Sequence, residues 1–278
     1  MEKYSVLMSL YFKEKPEYLK QAIDSMVNQT VKPDEIVIVE DGPLTEELYA
    51  VLDGYESEIS NLFVRVKNEK NLGLGLALNE GLKACKNELV ARMDTDDISA
   101  LDRCEKQLKM FEIDPELSAV SGTIAEFIAT PQEIVSYRVL PTTDVEIKKY
   151  MKKRCPLNHM AVMFRKGAVE SAGNYKDWHY NEDYYLWLRM LLNSAKFANV
   201  EDILVNVRVG KDMYQRRGGW KYFKSERALQ KYMKKNKIIG GFTYLSNVFK
   251  RFVVQVLLPN KLRGWIYKKF ARNATAAK

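Results

Sequence analysis

The residues best placed to do chemistry are Asp94-Thr95-Asp96, which run on into Asp97. In an extended segment, residues i and i+2 project to the same side. Asp94 and Asp96 can therefore share one hard divalent cation through carboxylate oxygens. A cation held there can bridge two phosphates and neutralise charge on a departing nucleoside diphosphate. The same triplet also reads as an acidic turn that only caps the next helix, with Asp97 or Ser99 as the cap. Asp41, within Val39-Glu40-Asp41-Gly42-Pro43, can accept hydrogen bonds from a base N–H or a ribose hydroxyl, or simply form an Asp-Gly turn. Asn71-Leu72-Gly73-Leu74-Gly75 can bring backbone N–H groups to a phosphate. It is no dinucleotide fingerprint, because Leu78 occupies the third glycine position.

Asn181-Glu182-Asp183-Tyr184 stands at the start of a helix rich in Trp and Leu. Carboxylates are favoured there by the helix dipole alone. Asp183 or Glu182 can also act as general base towards a hydroxyl, the other then orienting or binding the acceptor. His159 and His179, the only histidines, are metal ligands, acceptor contacts or structural residues. Arg208, Lys211, Arg216 and Arg217 would either clamp a diphosphate or line a solvated face.

The elements that must position these groups alternate. Ser5–Leu10 reads as a strand, and Pro16 opens a helix at a position where its missing N–H costs nothing. In that helix Leu19, Ala22, Ile23, Met26 and Val27 form one apolar face. Strands are expected at 35–39, 62–66 and 89–93, with a helix over 74–86. This rhythm predicts an α/β fold with a mostly parallel central sheet flanked by helices. Ligands of such sheets bind beyond the carboxyl ends of the strands, where Asp41 and Asp94 stand. Further on, helices are expected at 101–113 and 184–192, and strands at 117–128 and 160–164.

Composition narrows the class. With 278 residues, 46% hydrophobic and 29% charged, the chain suits one sizeable core plus an appendage. Three widely spaced cysteines, Cys85, Cys104 and Cys155, form no metal spacing or disulfide framework. No apolar run approaches the length of a membrane span, and no leader pattern is seen, so a cytoplasmic location is expected. The net charge of +8 is uneven: from Arg208 onward there are 19 Lys/Arg against 2 Asp/Glu. We therefore expect a catalytic domain over 1–210 and a basic, amphipathic helical extension over 211–278, meeting an anionic surface or a partner.

Together these motifs resemble the family 2 glycosyltransferases of GT-A fold, particularly bacterial enzymes that extend surface polysaccharides. The matching pieces are Ser5-Val6-Leu7-Met8-Ser9, Val37–Pro43, Asn71-Leu72-Gly73, Leu78-Asn79-Glu80-Gly81, Ala91–Asp97 and Glu182–Trp187, in family order. The resemblance implies an inverting transfer from a UDP-sugar, of galactose or N-acetylglucosamine type, with Mn2+ or Mg2+ as cofactor. Asp41 would contact uracil or ribose, Asp94 the ribose side of the donor, and Asp96 the metal and diphosphate, with Asp94 sharing the metal. Ser9, Tyr11, Asn71, Gly73, Asn79 and Thr95 would complete the donor site. Asp183 would deprotonate the acceptor, with Glu182, His159, Arg208, Arg216 and Arg217 near the acceptor or diphosphate. The Gln-x-x-Arg-Trp signature of processive members is absent, which predicts transfer of one sugar. A lipid-linked saccharide acceptor, a peripheral position at the inner face of the cell membrane and a possible homodimer follow as expectations. A basic-tailed nucleic-acid-binding protein would leave Asp94, Asp96 and Asp183 idle, and no nucleic acid is expected as partner. A nicotinamide oxidoreductase needs a strand running into Gly73, and a phosphohydrolase needs an Asp where Tyr11-Phe12 stand.

Overall fold

The computed structural model describes residues 2–210 and 218–273. Its first half is four strands, β1 (Tyr4–Leu10), β2 (Glu35–Glu40), β3 (Phe63–Lys67) and β4 (Leu89–Met93), with helices α1 (Pro16–Val27), α2 (Glu46–Glu58) and α3 (Leu74–Ala84) between them. The strands lie in the order β3-β2-β1-β4 and all pair in parallel. Every residue of β2 is buried, as a β-branched run covered on both faces requires. Leu19, Ala22, Ile23 and Met26 of α1 pack on Val6, Met8, Ile36 and Ile38. Ala77, Leu78 and Leu82 of α3 cover Leu7, Val37 and Val39 on the opposite face. Gly81 allows that approach, since a Cβ there would run into Leu7 and Val39.

The second half comprises β5 (Ile98–Ser99), α4 (Arg103–Ile113), β6 (Leu117–Phe127), β7 (Ile134–Arg138), α5 (Asp144–Met151), a 3-10 turn at His159–Ala161, β8 (Met163–Arg165), α6 (Lys166–Ser171), α7 (Glu182–Leu192) and β9 (Lys196–Arg208). Here the sheet becomes mixed. β8 joins β4 and β6 antiparallel, β9 runs parallel to β6, and β5 and β7 add antiparallel edges. The strand expected at 160–164 begins only at Met163, because His159–Ala161 closes a tight turn first. β9 was not anticipated: its polar Asn199, Glu201, Asp202 and Asn206 obscure the pattern.

The extension forms α8 (Gly219–Lys235), α9 (Gly241–Phe252), a π turn at Val253–Leu257 and α10 (Asn260–Ala271). Leu229, Met233 and Ile239 enter the same core as Trp187 and Leu186. Asn247 donates to the Lys152 carbonyl, and Arg251 pairs with Glu226 and donates to the Lys153 carbonyl. Buried Arg272 pairs with buried Glu126, and Asn273 bridges to Tyr137 of β7. The basic helices are thus docked along the body by specific polar contacts as well as by apolar packing.

Candidate active site

The carboxyl ends of β1, β2 and β4 open onto one crevice. At the end of β4, oxygens of Asp94, Asp96 and Asp97 lie within 4.8 Å of one another. Three hard oxygen donors at that spacing suit Mn2+ or Mg2+ and not a soft thiophilic ion. Asp94 and Asp96 are partly accessible, whereas Asp97 is 1% exposed and accepts the Arg208 backbone N–H at 2.8 Å. Asp97 is therefore a third member of the cluster, held from behind by β9, and not a helix cap. Burial and the Asp94 and Glu14 carboxylates push Asp96 up to about 7. Burial, then Asp96 and Asp94, raise Asp97 well above the carboxylate range.

Two cations brace this acidic loop. Arg92, 1% exposed, pairs with Asp94 at 2.5 Å. Its Nε and Nη1 find no partner among the described residues. Arg208 donates to the Asp96 carbonyl at 3.1 Å and to Gln21 at 2.8 Å, and its guanidinium stacks 3.8 Å from the Tyr18 ring centroid. Arg208, expected either to clamp a diphosphate or to line a solvated face, braces the loop through these contacts. Arg216, Arg217 and Lys211 lie outside the described residues. Thr95 donates to Glu14 at 3.0 Å. Glu14, in the β1–α1 loop, carries a carboxyl raised chiefly by burial. Sequence reading missed it because no pattern marks a lone Glu in a loop.

Asp41 is buried, and its carboxylate organises the loop before α3. Oδ1 accepts from Leu72 N at 2.7 Å and Asn68 Nδ2 at 3.1 Å, while Oδ2 accepts from Gly73 N at 3.0 Å. Asn71 donates to the Asp41 carbonyl. Gly42 sits at φ 88°, and a Cβ there would lie 2.7 Å from Asn71 N. Glycine at that position lets the two loops touch. Glu40 turns away into an ion pair with Arg65 at 2.6 Å. Of the residues expected to meet the donor, half-buried Ser9 and 41%-exposed Tyr11 stand at the end of β1. Gly73 starts α3 at φ 84° with open space where a side chain would be.

Two expected contacts are placed elsewhere. Both ends of the Asn79 amide are taken by the Tyr175 backbone, each at 2.9 Å. His159 is buried, with Nε2 2.8 Å from the Tyr175 hydroxyl and its ring against Trp187. Burial and Arg92 hold its pKa well below the usual range, so it is neutral and structural. The His179 ring lies against Tyr180.

α7 begins where α3 begins: the Cβ of Glu182 is 3.4 Å from the position a Gly75 Cβ would take. Glu182 thus leans towards α3, while Asp183 lines a cavity of about 450 Å³ under the C-terminal helices. Asp183 Oδ2 accepts from the Cys155 thiol at 3.4 Å. Burial raises the Asp183 carboxyl, opposed by the Tyr184 N–H, Cys155, Arg138 and Arg92. Glu182 is pushed up to about 7 by burial and by Asp183. A carboxyl raised by burial beside a cavity is a candidate proton acceptor.

A metal-ready acidic loop at a strand end, a buried carboxylate at a helix start and a half-parallel sheet are the makings of a GT-A-like glycosyltransferase. Residues 5–170 match the Glycosyl transferase family 2 profile, and the chain belongs to that family. It is 42% identical over 269 residues to the amylovoran biosynthesis glycosyltransferase AmsE of Erwinia amylovora, covering 96% of this chain and 98% of that one. It is 37% identical over 273 residues to the UDP-Gal:alpha-D-GlcNAc-diphosphoundecaprenol beta-1,3-galactosyltransferase of Escherichia coli, covering 97% of each. The fold matches the mannosyltransferase PcManGT of Pyrobaculum calidifontis, solved with GDP-Man and Mn2+. That likeness has a TM-score of 0.63 at 15% identity, over 94% of this chain and 72% of that one. The chain is therefore a glycosyltransferase.

The Glu182 environment gives a signed pH effect. Below the ordinary glutamate value of about 4.5, both folded and unfolded chains hold the proton and no penalty arises. Between there and about 7 the unfolded chain releases it more readily, so folding is progressively disfavoured. Glu182→Gln should therefore raise the urea midpoint at pH 8 and leave it nearly unchanged at pH 4. Equal midpoints at both pH values would show that Glu182 is not held in a charge-hostile setting.

Proposed function

We propose that this chain is an inverting, divalent-metal-dependent transferase that moves one hexose from a UDP-sugar to a lipid-linked saccharide. The observation that carries the proposal is the Asp94, Asp96 and Asp97 cluster at the end of β4, whose acids share the charge of buried Arg92 with Asp183 at the start of α7. Galactose is favoured over N-acetylglucosamine, because the Escherichia coli relative is described as a UDP-Gal transferase acting on a diphosphoundecaprenol-linked sugar. The Mn2+ in the Pyrobaculum calidifontis structure accords with the oxygen donors here.

Asp94 and Asp96 would hold the cation, which when bound stabilises the departing nucleoside diphosphate. Asp41 and the loop it fixes over 68–73 orient the nucleotide. Asn71, Gly73, Ser9, Tyr11 and Thr95 shape the donor cleft. Asp183 takes the proton from the acceptor hydroxyl, which attacks the anomeric carbon on the face opposite UDP. Glu182 keeps company with α3 and assists acceptor placement.

Titration of UDP with and without Mn2+ tests the donor half. Binding should require Mn2+ and weaken more than about tenfold in Asp96→Asn, the loss of one charge-assisted contact. Asp183→Asn should keep UDP binding yet lose about 10²- to 10⁴-fold in turnover. Metal-independent UDP binding, or binding indifferent to Asp96→Asn, would sink this assignment.

No helix among the described residues is long and apolar enough to cross a membrane. The C-terminal helices instead expose Phe242 (87%), Leu245 (66%), Phe249 (68%) and Trp265 (54%), among basic residues such as Lys234, Lys237 and Lys250. Aromatic and aliphatic groups ringed by cations suit an anionic leaflet, each Lys or Arg near it adding about 1 kcal/mol. We place the enzyme peripherally at the inner face of the cell membrane. Vesicles containing phosphatidylglycerol should retain the wild type and release a Phe242→Ser/Phe249→Ser variant. A wild type that ignores vesicles and sediments as a dimer through this face would give the face to a second copy.

A further inference from the structure

The cavity beside Asp183 has a lining that the donor chemistry does not use. Six cations face it, Arg138, Lys153, Arg154, Lys250, Arg251 and Arg272, against only two carboxylates, Asp183 and Glu226. Glu226 is paired with Arg251, and Glu126 behind the wall pairs with Arg272. Among the described residues the lining thus holds more cations than carboxylates. Lys153 and Lys250 are exposed on the rim, and neither carries an ion pair among the described residues. Arg138 is held towards the floor by Asn158 Oδ1 and the Cys155 carbonyl, each at 2.7 Å. One wall residue points to a second kind of contact. Gln255 is 4% exposed, and its Oε1 is buried with no hydrogen-bond partner among the described residues. A buried acceptor of this sort calls for a donor such as a sugar hydroxyl.

The cavity is also jointly made. Asp183, Cys155 and Arg138 come from the catalytic body; Lys250, Arg251 and Gln255 come from α9 and the π turn. At about 450 Å³ its volume lies in the range of small-molecule sites. Asp183 on one wall and α9 residues Lys250 and Arg251 on the other share its lining.

We propose that this cavity is the acceptor site, and that Lys153 and Lys250, backed by Arg138, bind the diphosphate of a saccharide-diphosphate acceptor while Gln255 meets its sugar. The proposal rests on the reading of the chain as a transferase to a lipid-linked saccharide. It assigns the C-terminal helices a part in substrate recognition as well as in membrane contact. Ammonium groups on a rim reach diphosphate oxygens through charge-assisted hydrogen bonds, and two of them on one anion give additive selectivity over a neutral glycoside.

The test uses the full chain and inorganic pyrophosphate in the presence of a chelator, where the metal-free acidic cluster of the donor site disfavours anions. Wild type should bind pyrophosphate without metal, and Lys153→Ala/Lys250→Ala should bind it at least about tenfold more weakly. The same variant should raise KM for a short-chain alkyl N-acetylglucosamine diphosphate far more than for the matching alkyl glycoside, with Mn2+-dependent UDP binding retained. UDP binding on the same preparation reports folding and the donor reading separately from the cavity. Pyrophosphate affinity equal in wild type and variant would overturn the proposal. So would loss of retention on anionic vesicles with an unchanged acceptor KM, which would give the lysines to lipid headgroups.

Discussion

Arg92 is a buried cation to which two acidic sites are coupled. Its Nη2 grips Asp94, and its charge reaches Asp96 and Asp97 on one side and Glu182 and Asp183 on the other. Burying a guanidinium is costly unless partners compensate it, and crowding carboxylates together is costly for the same reason. Each cost moderates the other here. Burial, helped by the same positive charge, keeps His159 neutral, and its Nε2 lies 2.8 Å from the Tyr175 hydroxyl. Without Arg92, Asp94 would lose its buried ion-pair partner, and Asp97 would keep only the more distant charge of buried Arg103. The first turn of α7 would lose one of the two arginines that temper Asp183.

From this centre the architecture follows outward. Parallel strands β1, β2 and β4 deliver their carboxyl ends to one crevice, and hydrophobic helices on both faces fix them there. The loops are then locked by polar side chains bonded to backbone: Asp97 on the Arg208 amide, Arg208 on the Asp96 carbonyl, Asn79 on the Tyr175 backbone. Precision at the site comes from these second contacts, since a loop alone holds a geometry poorly.

The parallel half of the fold and the acidic strand ends were legible from sequence because both obey local patterns. β2 is a continuous β-branched run, and Asp94-Thr95-Asp96 follows a strand directly. What escaped reading was non-local. Glu14 meets Thr95 across the crevice, and Asp97 is buried by β9, contacts separated by many residues that no window reveals. β9 alternates imperfectly and carries Asn and Asp, so its pairing with β6 is fixed by tertiary packing rather than propensity. Asn79 and Arg208 have the residue types of ligand contacts, and only the fold shows that backbone groups occupy them. The basic extension was legible in charge, but not the cavity that its helices close over Asp183.

The most direct measurement is the anomeric configuration, by proton NMR, of the product formed from α-linked UDP-galactose and an alkyl N-acetylglucosamine diphosphate. The arrangement of Asp183 opposite a metal-bound donor predicts a single β-linked galactose, formed only when Mn2+ or Mg2+ is present. An α-linked product, or transfer that proceeds undiminished in a chelator, would contradict the account.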